Sequence, residues 1–274
     1  MFGVPGLGAG GLTPGVRWLL VATGAAFVLQ LALEGAVGMR LTPWFALSRD
    51  GLLGGYLWQP LTYLFLHGGI WHIALNMFML FMFGREVETI LGTRRFLPFY
   101  FACGAIGGVG WLLLSWNRGV PCIGASGAVF GVLGAFAAFF PERRVTLLLM
   151  FVLPVTMSAR TLAIGLGLLS LFSMMGGDGN IAHAAHLAGG VAGYLAARRF
   201  VQRGRRSARA VRRGAAGAMH VRSGYPPPSD EAPAPPSEDD VNLVLEKISR
   251  HGIRSLTRAE RDVLERASEA RYNA

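Results

Sequence analysis

Charge is scarce in this sequence, and unevenly spread. Charged residues fill 15% of 274 positions, against roughly 25% in soluble globular proteins. Residues 1–197 carry only 10 of the 26 basic and 6 of the 16 acidic side chains. With 52% hydrophobic residues, this excludes an ordinary soluble enzyme and a disordered chain. Cysteine is nearly absent, and Cys103 and Cys122 are too few for a disulfide framework. Lysine occurs once, at Lys247, among many arginines. That usage suggests high-GC coding and hints at a bacterial source. There is no HExxH, so the metalloprotease route lacks its motif. The first 197 residues hold two aspartates, Asp50 and Asp178, both in expected outer loops. An aspartyl protease would need two within the membrane. What remains is a polytopic membrane domain followed by a charged, water-exposed tail.

A bilayer-spanning helix needs about 20 mostly apolar residues. Six stretches qualify as candidates: 18–36, 69–87, 96–116, 124–140, 160–176 and 181–198. Arg17 precedes the first. The residues before it are Gly-rich without a basic start, so the first span reads as a retained anchor rather than a cleaved signal. The short apolar stretch Val145–Met157 contains Pro154 and reads as a loop dipping into the interface. Arg85, Arg94, Arg95, Arg143, Arg144 and the arginines after 197 fall on one side of the spans. Arg40, Arg49 and Arg118 fall on the other. The positive-inside bias therefore places both termini in the cytoplasm, and the 37–68, 117–123 and 176–180 loops outside. The formal net charge of +10 is accounted for by these flanking arginines, so no nucleic-acid partner is inferred.

Past the sixth span the composition changes twice. Residues 198–224 are Arg-rich and suited to anionic membrane lipid. Residues 225–240 form a Pro-rich acidic linker. In 241–272 two short helices are expected. Val241, Val244, Leu245 and Ile248 make one apolar face, Gly252 breaks it, and Thr257 with Glu260 forms a capping-box pattern. Both a partly ordered tail and a docking module fit this segment.

Polar side chains are costly inside a membrane, so each is a functional candidate. The candidates are His72, Asn76, Ser126, His183 and His186. Gly124-Ala125-Ser126-Gly127 opens the fourth span. A serine at a helix N-terminus lies among free backbone N–H groups that can hold an oxyanion. The same residues also read as small-residue packing, since Gly127 and Gly131 are four apart. In the sixth span His186, Gly189 and Gly193 share one helix face. If the fourth span is the neighbour of that face, His186 meets Ser126 at matching depth near the outer surface. His72 and Asn76, four apart, share a face of the second span. They suit either an oxyanion site or structural hydrogen bonding between helices. His183 reads as a boundary residue and His67 as a loop-folding one. No metal site and no cofactor is inferred.

These motifs together resemble the rhomboid intramembrane serine proteases over about residues 15–200. The likeness rests on GASG with Ser126 and on AHLAGGVAG with His186, Gly189 and Gly193. WHIALN with His72 and Asn76 adds to it, as does Glu88 ahead of Gly92 in VETILG. The resemblance implies an all-α membrane protein, a six-transmembrane-helix bundle at residues 16–200 with a cytoplasmic C-terminal tail. A short N-terminal segment, 1–15, would precede it; a linker, 201–240, and a helical segment, 241–274, would follow. It implies Ser126 as nucleophile and His186 as general base and acid. His72, Asn76 and the Ser126 N–H would hold the oxyanion. Gly124, Gly127, Phe130, Gly189 and Gly193 would support them. At Phe130, beside the histidine, many relatives carry Tyr. Expected partners are single-span membrane proteins, entering between spans two and five and cut after a small residue. The expected location is the bacterial inner membrane, with the site facing outward. One departure stands in the first outer loop: Trp58-Gln59 replaces a Trp-Arg pair, so that arginine's ionic contacts are missing. Two other readings compete. One is a non-catalytic rhomboid-like protein that binds membrane clients. The other is a small channel or transporter using the histidines as a relay.

Overall fold

The computed structural model describes residues 11–117, 119–149, 153–175, 182–223 and 236–272. Arg118, the stretch 176–181 with Asp178, and residues 224–235 of the linker lie outside the described residues. The chain divides into two compact units, Met1–Arg209 and Ala210–Ala274.

Helix α1, Pro14–Ala32, starts with proline at its first position, where no N–H is needed. It therefore begins before Arg17, which sits in its first turn. It runs on through a π turn, Leu33–Val37, and ends at Gly38 in the left-handed conformation. Val16, Leu19, Thr23, Phe27 and Gln30 form its buried stripe. Val21, Val28 and Leu31 are exposed apolar residues, the surface expected of a helix in lipid rather than in water. Three short helices fold the following loop: α2 (Thr42–Phe45), α3 (Arg49–Leu53) and α4 (Gln59–Thr62). Helix α5, Ile70–Met79, passes through a π segment, Leu80–Gly84, into α6, Arg85–Leu91. Gly92, at positive φ, separates α6 from α7, Thr93–Ser115. Helix α8, Ser126–Phe139, follows.

The next stretch departs from the sequence expectation. Where a loop dipping into the interface was expected, β1 (Arg144–Leu149) pairs antiparallel with β2 (Leu153–Ser158). Alternation decides this: Val145 and Leu147 turn inward while Arg144 and Thr146 face out. The hydroxyls of Thr146 and Thr156 meet across the pair at 2.7 Å. Helix α9, Ala159–Met175, and the long α10, Ala182–Ser223, complete this part of the chain.

Pro14–Val37 and Thr93–Ser115 are each long and apolar enough to cross a bilayer. Gln59–Phe65 with Ile70–Leu91, bent by 101°, adds a third if counted as one span. Helices α8 and α9 are apolar but shorter, at 14 and 17 residues. Helix α7 packs extensively on α8. The core joins Val16, Tyr63, Phe83, Tyr100, Val132 and Phe136.

In the second unit α11, Glu238–His251, opens with Ser237 capping Asp240 N. Helix α12, Arg258–Tyr272, opens on the Thr257 capping box: Thr257 N donates to Glu260 at 2.7 Å and Glu260 N to Thr257 Oγ1 at 3.4 Å. Lys247 of α11 donates to Glu260 at 2.7 Å and ties the two helices together.

Candidate active site

Glycine fixes how closely the helices meet. At Gly189 an added Cβ would collide with the carbonyl oxygen of Gly127, and at Gly193 with that of Gly131. At Gly107 of α7 it would reach within 2.9 Å of the Ala185 carbonyl. Helices α7, α8 and α10 thus touch backbone to backbone, which only residues without a side chain permit. The order of contacts, Gly127 with Gly189 and then Gly131 with Gly193, shows that α8 and α10 run in the same direction.

Ser126 is the first residue of α8, after Ala125. Its own N–H and that of Gly127 have no intrahelical acceptor. One turn further along, the Phe130 ring stacks on the His186 imidazole, with centroids 4.3 Å apart and planes 6° from parallel. His186 lies in the second turn of α10. Among the described residues its Nδ1 is buried without a partner, and so is Nδ1 of His183. The two imidazoles meet edge to face at 5.6 Å. Among the described residues no hydrogen bond joins Ser126 to His186. The structure brings both side chains to the same end of the α8–α10 seam.

His72 reaches the same place from α5. Gly124, just before Ser126, holds φ at +114°, and an added Cβ there would stand 2.7 Å from His72 Cε1 and Nε2. Two constraints therefore demand glycine: a left-handed backbone and an imidazole against its Cα. Gly124 N donates to the Tyr63 carbonyl at 2.9 Å. Gly68 N donates to His72 Nδ1 at 3.3 Å. That bond makes Nδ1 the acceptor and leaves the proton on Nε2, the atom facing Gly124. Asn76 is buried, and its Nδ2 donates to the His72 carbonyl at 2.9 Å.

A polar layer behind His72 was not among the candidates drawn from the sequence. Gln30 of α1 is buried and pairs with the backbone of His67 in both directions, each at 3.1 Å. Glu34 lies one turn on, accepting from Gln30 and from Leu41 N, both at 3.3 Å. His67 is buried and meets the His72 ring edge to face at 5.0 Å. The available signal was an amide and a carboxylate four residues apart in an apolar span.

The loop after α1 answers the Trp58-Gln59 departure. Gln59 is completely buried. Its Oε1 accepts from Ser48 N at 3.1 Å and its Nε2 donates to the Pro43 carbonyl at 3.2 Å. A neutral amide thus ties α2, α3 and α4 together. Trp58, Tyr56 and Trp44 stack in sequence above it.

At the opposite end, Glu88 accepts four hydrogen bonds. They come from Thr13 Oγ1 (2.5 Å), Thr93 Oγ1 (2.6 Å), Gly15 N (2.7 Å) and Val16 N (2.8 Å). The carboxylate caps α1 across the fold and complements its N-terminal dipole. No group of three His, Cys, Asp or Glu side chains is placed to hold a metal ion among the described residues.

The model of the rhomboid domain matches residues 54–203, a stretch that holds Ser126, His186, His72 and Asn76. The chain belongs to the rhomboid family. Rhomboid protein 1 of Saccharomyces cerevisiae mitochondria is 33% identical over 138 residues, 48% of this chain and 38% of that protein. Rhomboid protease GluP of Bacillus subtilis is 33% identical over 156 residues, covering 56% and 28%. Putative rhomboid protease YdcA of the same organism is 36% identical over 86 residues, covering 31% and 43%. The match thus spans less than half the length of each of these relatives. Apolar helices and rhomboid membership together make this an integral membrane protein. Residues 236–270 match a second family, of unknown function (DUF6576).

Proposed function

We propose that this rhomboid is an intramembrane serine endopeptidase acting on transmembrane-protein substrates through a Ser126–His186 dyad. One observation carries the reading. The glycine seam sets α8 and α10 at backbone contact, with His186 stacked on the ring one turn below Ser126. Ser126 Oγ attacks the scissile carbonyl carbon while His186 takes its proton. The carbonyl oxygen becomes an oxyanion, held by the Ser126 N–H, by His72 Nε2–H and by Asn76 once its amide turns from the His72 carbonyl. His186 then returns the proton to the leaving amine, the C–N bond breaks, and an acyl-Ser126 ester remains. Water, deprotonated by His186, releases the second product and regenerates the serine. Among the described residues His186 has no carboxylate partner, and the Phe130 stack orients its ring.

In this reading six helices cross a bacterial inner membrane: α1, α5–α6, α7, α8, α9 and α10. Both termini are cytoplasmic and Ser126 faces the outer side. The test is cleavage of a model single-span substrate by purified protein in liposomes, beside Ser126→Ala and His186→Ala. Product from wild type alone supports the dyad. Cleavage surviving Ser126→Ala sinks it.

A further inference from the structure

An apolar groove of about 320 Å³ opens between α9 and α10, floored by α8. From α9 it is lined by Ala163, Ile164 and Gly167, and from α10 by Val191 and Tyr194. Its upper end reaches His186 and Phe130, and its lower end reaches Arg160. Several lining residues, among them Ile164, Val191 and Leu195, are exposed. An open apolar groove at this depth faces hydrocarbon, since the chain is an integral membrane protein.

The lower end is basic. Arg160 lies in the first turn of α9, where its N donates to the Pro141 carbonyl at 3.1 Å beside the end of α8. Its partner Glu142 is 2.9 Å away, but both side chains are more than 60% exposed, and such a pair holds weakly. Arg198 lies one turn beyond Tyr194, and its Nη1 donates to the Tyr194 hydroxyl at 3.4 Å. Because α8 and α10 run in the same direction, Arg198 and Arg160 stand at the same end of the bundle. A volume of 320 Å³ falls within the range of small-molecule sites, about 300–1,000 Å³. Basic pockets between membrane helices suit anionic lipid headgroups.

We propose that this groove holds an acyl chain of an anionic phospholipid, with the phosphate at the end marked by Arg160 and Arg198. The chain lies between α9 and α10 and its methyl end approaches the underside of the Phe130–His186 stack. A bound lipid there fills space that no side chain fills among the described residues. It also links membrane composition to the helix that carries His186.

Two glycines of α9 provide a matched test. A Cβ at Gly165 or at Gly167 meets nothing within 4 Å, so a side chain can start at either position, yet of the two only Gly167 lines the groove. The full-length protein in neutral detergent is mixed with phosphatidylglycerol or phosphatidylcholine of the same acyl chains. Retained lipid is then counted by native mass spectrometry. Wild type and Gly165→Leu are expected to keep phosphatidylglycerol about tenfold over phosphatidylcholine. Gly167→Leu is expected to lose it. Arg160→Gln with Arg198→Gln, at exposed positions that do not threaten folding, should bring the ratio near one. Equal retention of the two lipids by wild type would overturn the proposal. So would unchanged retention by Gly167→Leu, or unchanged preference in the double arginine variant. Release of phosphatidylglycerol from wild type by a model single-span peptide would assign the groove to substrate instead. Lipid retention is read without activity, so a failed dyad and a failed lipid site are distinguishable.

Discussion

Gly189→Ala is the sharpest probe of the helix seam, because its neighbour Gly190 supplies an internal control. At Gly189 the new methyl meets the Gly127 carbonyl, a backbone atom that cannot rotate away. At Gly190 the nearest atom to an added Cβ is the Phe130 carbonyl oxygen at 3.6 Å, an ordinary contact. Both changes gain helix propensity, about 0.5–1 kcal/mol relative to glycine. At Gly189 overpacking outweighs that gain, costing about 1–3 kcal/mol. Relief requires α10 to move from α8 by about 1 Å, and a misplacement of that size costs about 100-fold in rate. Gly189→Ala should therefore lose about two orders of magnitude in kcat and unfold earlier, while Gly190→Ala keeps most activity and stability. The assay is kcat on a model single-span substrate in liposomes, with thermal unfolding in detergent alongside. Wild-type kcat from Gly189→Ala, or equal losses from both variants, would refute the argument that backbone contact positions His186.

Three more predictions concern other parts of the molecule. Gln59→Leu removes the amide that joins Ser48 N and the Pro43 carbonyl; it should lower stability by about 1–3 kcal/mol through unpaired buried groups, and an unshifted thermal midpoint would count against the loop's dependence on Gln59. Glu88→Ala strips both backbone donors of α1 of their acceptor; a loss of about 1.5–3 kcal/mol is expected, with protease nicking near residue 14 as the readout, and wild-type resistance would contradict it. The Lys247 hydrogen bond, helped by Thr257, holds the Glu260 carboxyl at about 2, below the unfolded value of about 4.3. A depressed carboxyl stabilises the fold above the unfolded pKa and loses that contribution as pH falls toward the folded one. Hydrogen exchange in 238–272 of the full chain, corrected for intrinsic rates, should be flat from pH 7 to 5 and faster between about 4 and 2. Lys247→Met should flatten that change, and an identical profile in the variant would remove Lys247 as its cause.

Much of this was legible in the sequence because lipid simplifies the code. Long apolar runs mark helices, and the few polar residues within them stand out. Ser126 and His186 were visible for that reason, and the Gly189 and Gly193 face pointed at a close neighbour. The sequence reading missed Gln30 and Glu34. Their partners are the backbone of His67 and Leu41, and nothing in the spacing of the first span reveals those. The β1–β2 pairing was hidden by an apolar stretch with Pro154, although Val145-Thr146-Leu147 already alternates. Gln59 was flagged only as a missing charge. Its role depends on carbonyls of Pro43 and Trp44, brought beneath it by a loop whose path no local pattern dictates.

The Glu88 cap has a consequence for how the chain is made. Its acceptor lies more than 70 positions after the donors at Thr13, Gly15 and Val16. At about 5–20 residues per second of synthesis, roughly 4–15 seconds separate the emergence of those donors from that of the carboxylate. Thr93, the fourth donor, arrives only after Glu88 itself. The start of α1 therefore enters the membrane with its N–H groups on water or headgroups. It is sealed when the second helical segment and the first turn of α7 have arrived. The start of α1 is thus sealed only after more than 70 further residues have been made.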